Sequence, residues 1–116
     1  MTDLNTFPYP ILITGGAGFL GSHMAALCLE KHTDVVVIDN LSNSDLSNLQ
    51  KLESYFQVTI PFYEIDIRDQ NKLKQFFKDH QFSAVIHFAG SDYQLEKSFL
   101  KNYQGIFIFK KLAYVQ

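Results

Sequence analysis

The segment Ile11-Leu-Ile-Thr-Gly15-Gly-Ala-Gly18-Phe-Leu-Gly21-Ser-His-Met constrains this chain more than any other part of it. A short apolar run meets a glycine triplet spaced G-x-x-G-x-x-G, and a helical pattern begins within it. A strand that turns into a helix over so few residues needs a backbone conformation closed to most side chains, and Gly15 can supply it. At Gly18 a missing side chain lets a pyrophosphate approach the backbone, and at Gly21 it lets the helix lie close on the strand. The helix start offers unpaired N–H groups and the positive end of its dipole. Asp39 follows 18 positions after Gly21, at the end of the apolar run Val35-Val-Val-Ile38. A carboxylate there can accept hydrogen bonds from an adenosine ribose. A tight turn that holds no ligand is the competing reading of the glycines alone. The flanking strand, helix and acidic residue favour a ligand site.

The rest of the chain alternates in the same way. Strand one is Ile11 to Thr14, after a tail ending at Pro10. The next helix runs from about Phe19 to Lys31, with Leu20, Met24, Leu27 and Cys28 expected on its buried face. The unbroken apolar run Val35 to Ile38 fits a strand covered on both sides, as in a parallel sheet between helices. Ser44 can cap a helix carrying Leu46, Leu49, Leu52 and Phe56 at helical spacing. Thr59 to Tyr63 is a third strand, and Pro61, which has no N–H for the ladder, places it at an edge. Asp69 caps a further helix whose Leu73, Phe76 and Phe77 face inward. Ala84 to Phe88 is strand four. This β-α-β-α-β-α-β pattern shows no repeat or linker and predicts parallel βαβ units in the order 3-2-1-4.

The 116 residues fit one domain, 1–116, able to bury roughly two-thirds of its unfolded surface. With 47% hydrophobic and 19% charged residues the chain is globular, and a net charge of −2 gives no electrostatic case for nucleic acid or an anionic membrane. Cys28 is the only cysteine, which excludes an intrachain disulfide. The N-terminus lacks a basic segment followed by an apolar one, and no apolar run approaches the roughly 18 residues of a membrane span. A cytoplasmic chain is the expectation, with no metal site.

Four motifs stand in order: the glycine turn followed by Ser22-His23, Asp39-Asn-Leu-Ser-Asn-Ser44, Asp66-Ile67-Arg68-Asp69, and Val85-Ile-His-Phe-Ala-Gly90. Together they resemble the N-terminal half of an extended short-chain dehydrogenase/reductase, and within that group the UDP-glucose 4-epimerases. The resemblance covers roughly residues 10 to 90. It implies a Rossmann-like fold, truncated after about the fourth strand, that binds NAD. By this resemblance the amides of Phe19 and Leu20 lie near the pyrophosphate, with Gly15, Gly18 and Gly21 forming the turn. Asp39 holds the ribose hydroxyls, and Asn40, Leu41, Ser42, Asn43 and Ser44 line the adenosine side. Asp66 and Ile67 bracket the adenine, the Asp66 side chain accepting from its amino group. Phe88, Ala89 and Gly90 close over the cofactor. The carboxylate of Asp39 would repel a 2′-phosphate, so NAD is preferred to NADP. His87, inside a strand, reads as a packed core residue.

In the family that the chain resembles, a hydride passes from C4 of the sugar to NAD and back, with a tyrosine acid/base aided by a lysine four residues on. The sequence contains Tyr93-Gln-Leu-Glu-Lys97, but it follows strand four directly, whereas the family's pair lies on a later helix. It reads as coincidence, and no catalytic residue is assigned. After Gly90 the match decays; Asn102-Tyr-Gln-Gly105 arrives early for the family's Asn-Val-Asn-Gly turn. The tail from Ser91 to Gln116 is either a divergent helix or an out-of-frame product. Two readings of different class stay open. One is the cofactor-binding part of an epimerase acting on a nucleotide sugar, inactive alone. The other is a nucleotide-binding or assembly module that never catalyses. A fragment of a related dehydratase or uronate epimerase shares the fold and cofactor. The apolar Ile106-Phe-Ile-Phe109 can pair with strand four as a makeshift fifth strand or join a loosely docked helix, and with either the incompletely covered edge leads to an expectation of self-association.

Overall fold

The computed structural model describes residues 7–42 and 44–88 in full and the strand 106–109 by its backbone. The elements are β1 (Ile11–Thr14), α1 (Phe19–Glu30), β2 (Val35–Asp39), α2 (Ser47–Phe56), β3 (Phe62–Glu64), α3 (Gln70–Asp79), β4 (Ala84–His87) and β5 (Ile106–Phe109). All strand pairs are parallel, and the sheet order is β3-β2-β1-β4-β5. The expected 3-2-1-4 order is therefore present, with β3 at one edge.

Alternation along the central strands sends side chains to two separate cores. Leu12, Val36, Ile38 and Val85 face one side and pack with Leu73, Phe76, Phe77 and Phe82 on and beyond α3. Ile11, Ile13, Val35, Val37, Ala84 and Ile86 face the other, with Ala25 of α1 and Leu49 of α2. Helices thus cover both faces. A sheet so covered needs strands that are apolar on both sides, which explains the unbroken burial of β1, β2 and β4. Burying Phe76 and Phe77 contributes about 1.5–3 kcal/mol each, which makes α3 a firm layer despite its polar outer face.

Three local expectations are corrected. In α1 the buried residues are Gly21, Ser22 and Ala25, whereas Leu20 and Leu27 are 43% and 52% exposed. The helix lies so close to the sheet that small residues form its contact stripe, with Met24, Cys28 and Leu29 packed at the margin. Ser44 does not cap α2: the N-cap position is Leu46, and Asp45 Oδ1 accepts from Ser47 N at 2.9 Å. The third strand begins at Phe62, and Pro61 precedes it, its carbonyl accepting from Val37 N at 2.9 Å. Of the two placements open to Ile106–Phe109, pairing with strand four is the one present: β5 runs beside β4 from Ala84↔Ile106 to His87↔Phe109. The outer edge on that side is β5 itself.

Candidate functional site

A cleft of about 600 Å³ opens beyond the carboxyl ends of β1, β2 and β3. Gly15, Gly18, Phe19, Asp39, Asn40, Ser42 and Ser44 line it, as do Asp66, Ile67 and Phe88. Ile38, Ile65 and Arg68 line it as well, and sequence reading assigned none of them to the site. Leu20, Gly21 and Leu41 stand beside it without lining it. Asn43, Ala89 and Gly90 lie outside the described residues, as do Tyr93, Lys97 and Asn102.

The glycine turn is held by its neighbours. Gly15 has φ 71°, the left-handed region that side chains disfavour, and its N–H donates to Ile38 O at 2.9 Å. Ala17 N donates to Asp39 Oδ2 at 3.1 Å, while Ala17 O accepts from Asn48 Nδ2 at 3.3 Å. A Cβ on Gly21 would sit 2.2 Å from Gly15 O, so close contact between helix and turn requires the glycine. Gly16, passed over in the triplet, is under a similar constraint, since its Cβ would meet Val37 Cγ1 at 2.6 Å. Gly18 differs. A Cβ there meets only Gly15 O at 3.5 Å, an ordinary contact, and the protein's own packing does not demand a glycine.

Helix α1 begins with Gly18 as N-cap, without a capping side chain and without an acid in its first turn. Its first i−4 bond runs from Ser22 N to Gly18 O at 2.9 Å. The amides of Phe19, Leu20 and Gly21 therefore belong to the set that a helix cannot satisfy internally. With Gly18 and Phe19 lining the cleft, the positive end of the helix meets it.

Asp39 is 9% exposed at the end of β2. Its Oδ1 accepts from Leu41 N at 2.8 Å, and its Oδ2 holds Ala17 N. Each carboxylate oxygen has a further lone pair for a ligand hydroxyl. The residue thus fixes the glycine turn as well as facing the cleft. Leu41 follows with φ 58°, a left-handed conformation uncommon for leucine, and packs its side chain against the α1–α2 core.

Asp66 forms the opposite wall. Arg68 grips it as a fork, Nε donating to Oδ1 at 3.0 Å and Nη2 to Oδ2 at 2.6 Å, while Arg68 N donates to Oδ1 at 2.9 Å. On the facing loop, Asn40 Oδ1 accepts from Ser42 N at 3.0 Å. The hydrogen bonds from Arg68, more than its charge alone, hold the Asp66 carboxyl far below the usual carboxylate range. Asp66 is therefore ionised and acts only as an acceptor.

His87 is 1% exposed and bonded through Nδ1 to Thr14 Oγ1 on the neighbouring strand, so it belongs to the core. Burial pushes the Cys28 thiol up, which suits an inert packed cysteine. Among the described residues no group of acids, histidines and cysteine is arranged to hold a metal, and no helix is long and apolar enough to cross a membrane.

The parallel order, the two-sided helical cover and the glycine turn opening on a strand-end cleft define a Rossmann-like α/β protein. Residues 12–103 match the family described as GDP-mannose 4,6 dehydratase, and the chain belongs to that family. Among curated relatives it is 48% identical over 80 residues to the UDP-glucose 4-epimerase of Neisseria gonorrhoeae, covering 69% of this chain and 24% of that protein. The UDP-glucose 4-epimerase of Schizosaccharomyces pombe is 39% identical over 97 residues, which cover 79% of this chain and 27% of that one. The chain thus spans about a quarter of the length of the curated relatives it matches. Among solved structures, the Bifidobacterium longum UDP-glucose 4-epimerase in complex with NAD+ and UDP superposes with a TM-score of 0.79 at 29% identity, covering 87% of this chain and 36% of that one. The UDP-Glc/GlcNAc 4-epimerase of Campylobacter jejuni gives 0.78 at 28% identity, with the same coverage of 87% and 36%.

Proposed function

We propose that this chain is the N-terminal NAD-binding part of a UDP-glucose 4-epimerase, forming one cofactor-binding domain over residues 1–116. The observation that carries the reading is the uncapped start of α1 at Gly18, open to a cleft that Asp39 faces from β2. The residues fit the group. Gly18 leaves a place that no protein atom fills, the first-turn amides lack internal partners, and a nearly buried carboxylate stands where a ribose diol would lie. Phe19 and Leu20 would donate their amides to the pyrophosphate. Asp39 would accept from the ribose hydroxyls, its charge disfavouring a 2′-phosphate. Asn40, Leu41, Ser42, Asn43 and Ser44 would form the adenosine side. Asp66 and Ile67 would bracket the adenine, and Phe88, Ala89 and Gly90 would close over the cofactor. When bound, NAD supplies a hydride acceptor for the oxidation of a sugar carbon and its reversal.

The relatives' names support a nucleotide sugar as substrate. Interconversion of UDP-glucose and UDP-galactose by this chain alone is expected to be unmeasurable. The sequence's Tyr93-Gln-Leu-Glu-Lys97 follows strand four too directly to correspond to the family's catalytic pair, and the match covers only a quarter of the relatives' length. Turnover abolished by Tyr93→Phe would overturn that expectation. A cytoplasmic location and self-association through the apolar edge strand β5 complete the proposal. Sizing chromatography with light scattering checks the latter, and a monodisperse monomer would refute it.

Calorimetric titration of the purified chain tests the cofactor. NAD is expected to bind more tightly than NADP, and Asp39→Ala is expected to weaken NAD. Tighter NADP binding, or an unchanged affinity in the variant, would contradict the assignment.

A further inference from the structure

The Asp66 carboxylate meets the cleft in an unusual state for a group on its rim. Both oxygens are taken up by Arg68, through a guanidinium fork and a backbone amide. Asn40, on the loop after β2, lines the same cleft and is anchored by Ser42 N. Arg68 is otherwise free in solvent, its side chain 81% exposed, whereas Asp66 is 32% exposed. No packing of the protein depends on the guanidinium. Its one described task is to hold that carboxylate.

A carboxylate rotates about its side-chain bond unless both oxygens are held. A bidentate arginine fixes the plane, and a lysine, a point charge, does not. Once fixed and ionised, the group can accept hydrogen bonds and cannot donate them. Such an acceptor in a nucleotide cleft favours a base that presents an amino group and disfavours one that presents a carbonyl in its place. We infer that Arg68 is a positioning residue that sets the base specificity of this cleft for a 6-amino purine by orienting Asp66. The inference rests on the dinucleotide reading above and names the residues that would impose its base preference.

The probes are NAD and nicotinamide hypoxanthine dinucleotide, which carries a carbonyl where adenine carries its amino group. Titrated into the unaltered chain, NAD is expected to bind about tenfold more tightly, the worth of one hydrogen bond to a charged acceptor. In Arg68→Ala the NAD affinity should fall while the hypoxanthine analogue is little changed, so the ratio contracts to about twofold or less. Arg68→Lys should restore part of the NAD affinity through its charge without restoring the ratio, because it lacks the fork. An unchanged ratio in Arg68→Ala would overturn the inference. So would an equal loss for both dinucleotides, since that is what simple attraction of phosphate by a surface cation produces. Failure of the unaltered chain to bind either probe would sink the dinucleotide reading and this inference with it. NAD binding with an unaltered ratio would sink the inference alone. Far-UV circular dichroism of each variant confirms that the exposed substitution leaves the fold in place.

Discussion

Helix α3 begins at Asp69, whose side chain accepts from Lys72 N at 3.2 Å, while helix α1 begins at Gly18, which has no side chain to offer. Both helices pack against the same sheet, and both leave unpaired amides at their first turn. In α3 the protein satisfies one of those amides itself, and the helix start is a structural element like any other. In α1 it does not, and the backbone around the start is instead fixed from outside, by Asp39 on Ala17 N and Asn48 on Ala17 O. A rigid turn with unfilled donors is a site, whereas a rigid turn with filled donors is a cap. The same contrast separates the glycines: Gly16 and Gly21 are demanded by neighbouring atoms, and Gly18 is not.

The largest effect expected from this contrast is at Gly21. Gly21→Ala would drive a Cβ into Gly15 O, which backbone cannot yield cheaply, and should destabilise the chain by about 3 kcal/mol or more in urea denaturation. A loss below about 1 kcal/mol would show that α1 can move off the turn. Gly18→Asp should behave in the opposite way. Its extended φ of −78° and ψ of −179° suit an N-cap, and there is room for a Cβ. Stability should hold or rise by a few tenths of a kcal/mol, while NAD affinity falls at least about a hundredfold as the carboxylate takes the phosphate's place. Retention of NAD binding in that variant would remove the basis for calling the α1 start a site.

Asp69→Ala should cost about 1 kcal/mol in thermal denaturation and leave dinucleotide affinity unchanged, since the residue caps α3 outside the cleft. A parallel loss of NAD affinity would blur the two helix starts into one kind. The smallest effect concerns Asp66. Its folded pKa is depressed, so the stability it lends is present above the ordinary carboxylate value of about 3.9 and is lost as pH falls below that, towards the folded value. The difference in melting temperature between the unaltered chain and Asp66→Asn should be small and constant near neutrality. It should shrink on acidification below about pH 4. A difference that grows there would mean that Asp66 is not held ionised by Arg68.

What local sequence decides is visible in the elements that came out where expected. The β-α-β alternation, the strands Ile11–Thr14 and Ala84–His87, the cap at Asp69 and the inward Leu73, Phe76 and Phe77 depend on neighbours within a turn or a pleat. The glycine turn and Asp39 were legible too, because a strand-to-helix turn leaves its spacing in the chain. Tertiary structure alone decided the rest, since each remaining feature joins residues far apart in sequence. Leu20 and Leu27 follow a helical period yet stand exposed, because the close approach at Gly21 makes Ser22 and Ala25 the contact stripe. Gly16 answers to Val37, and Asp39 reaches back 22 positions to Ala17. Asn40 and Asp66 come to line one cleft only when the ends of β2 and β3 lie side by side, and β5 joins β4 by pairing across the sheet. Periodicity and spacing record what a residue does to its own helix or strand. Which distant backbone it presses against or holds is set only when the sheet assembles, and there the cleft acquires Arg68 and its oriented carboxylate.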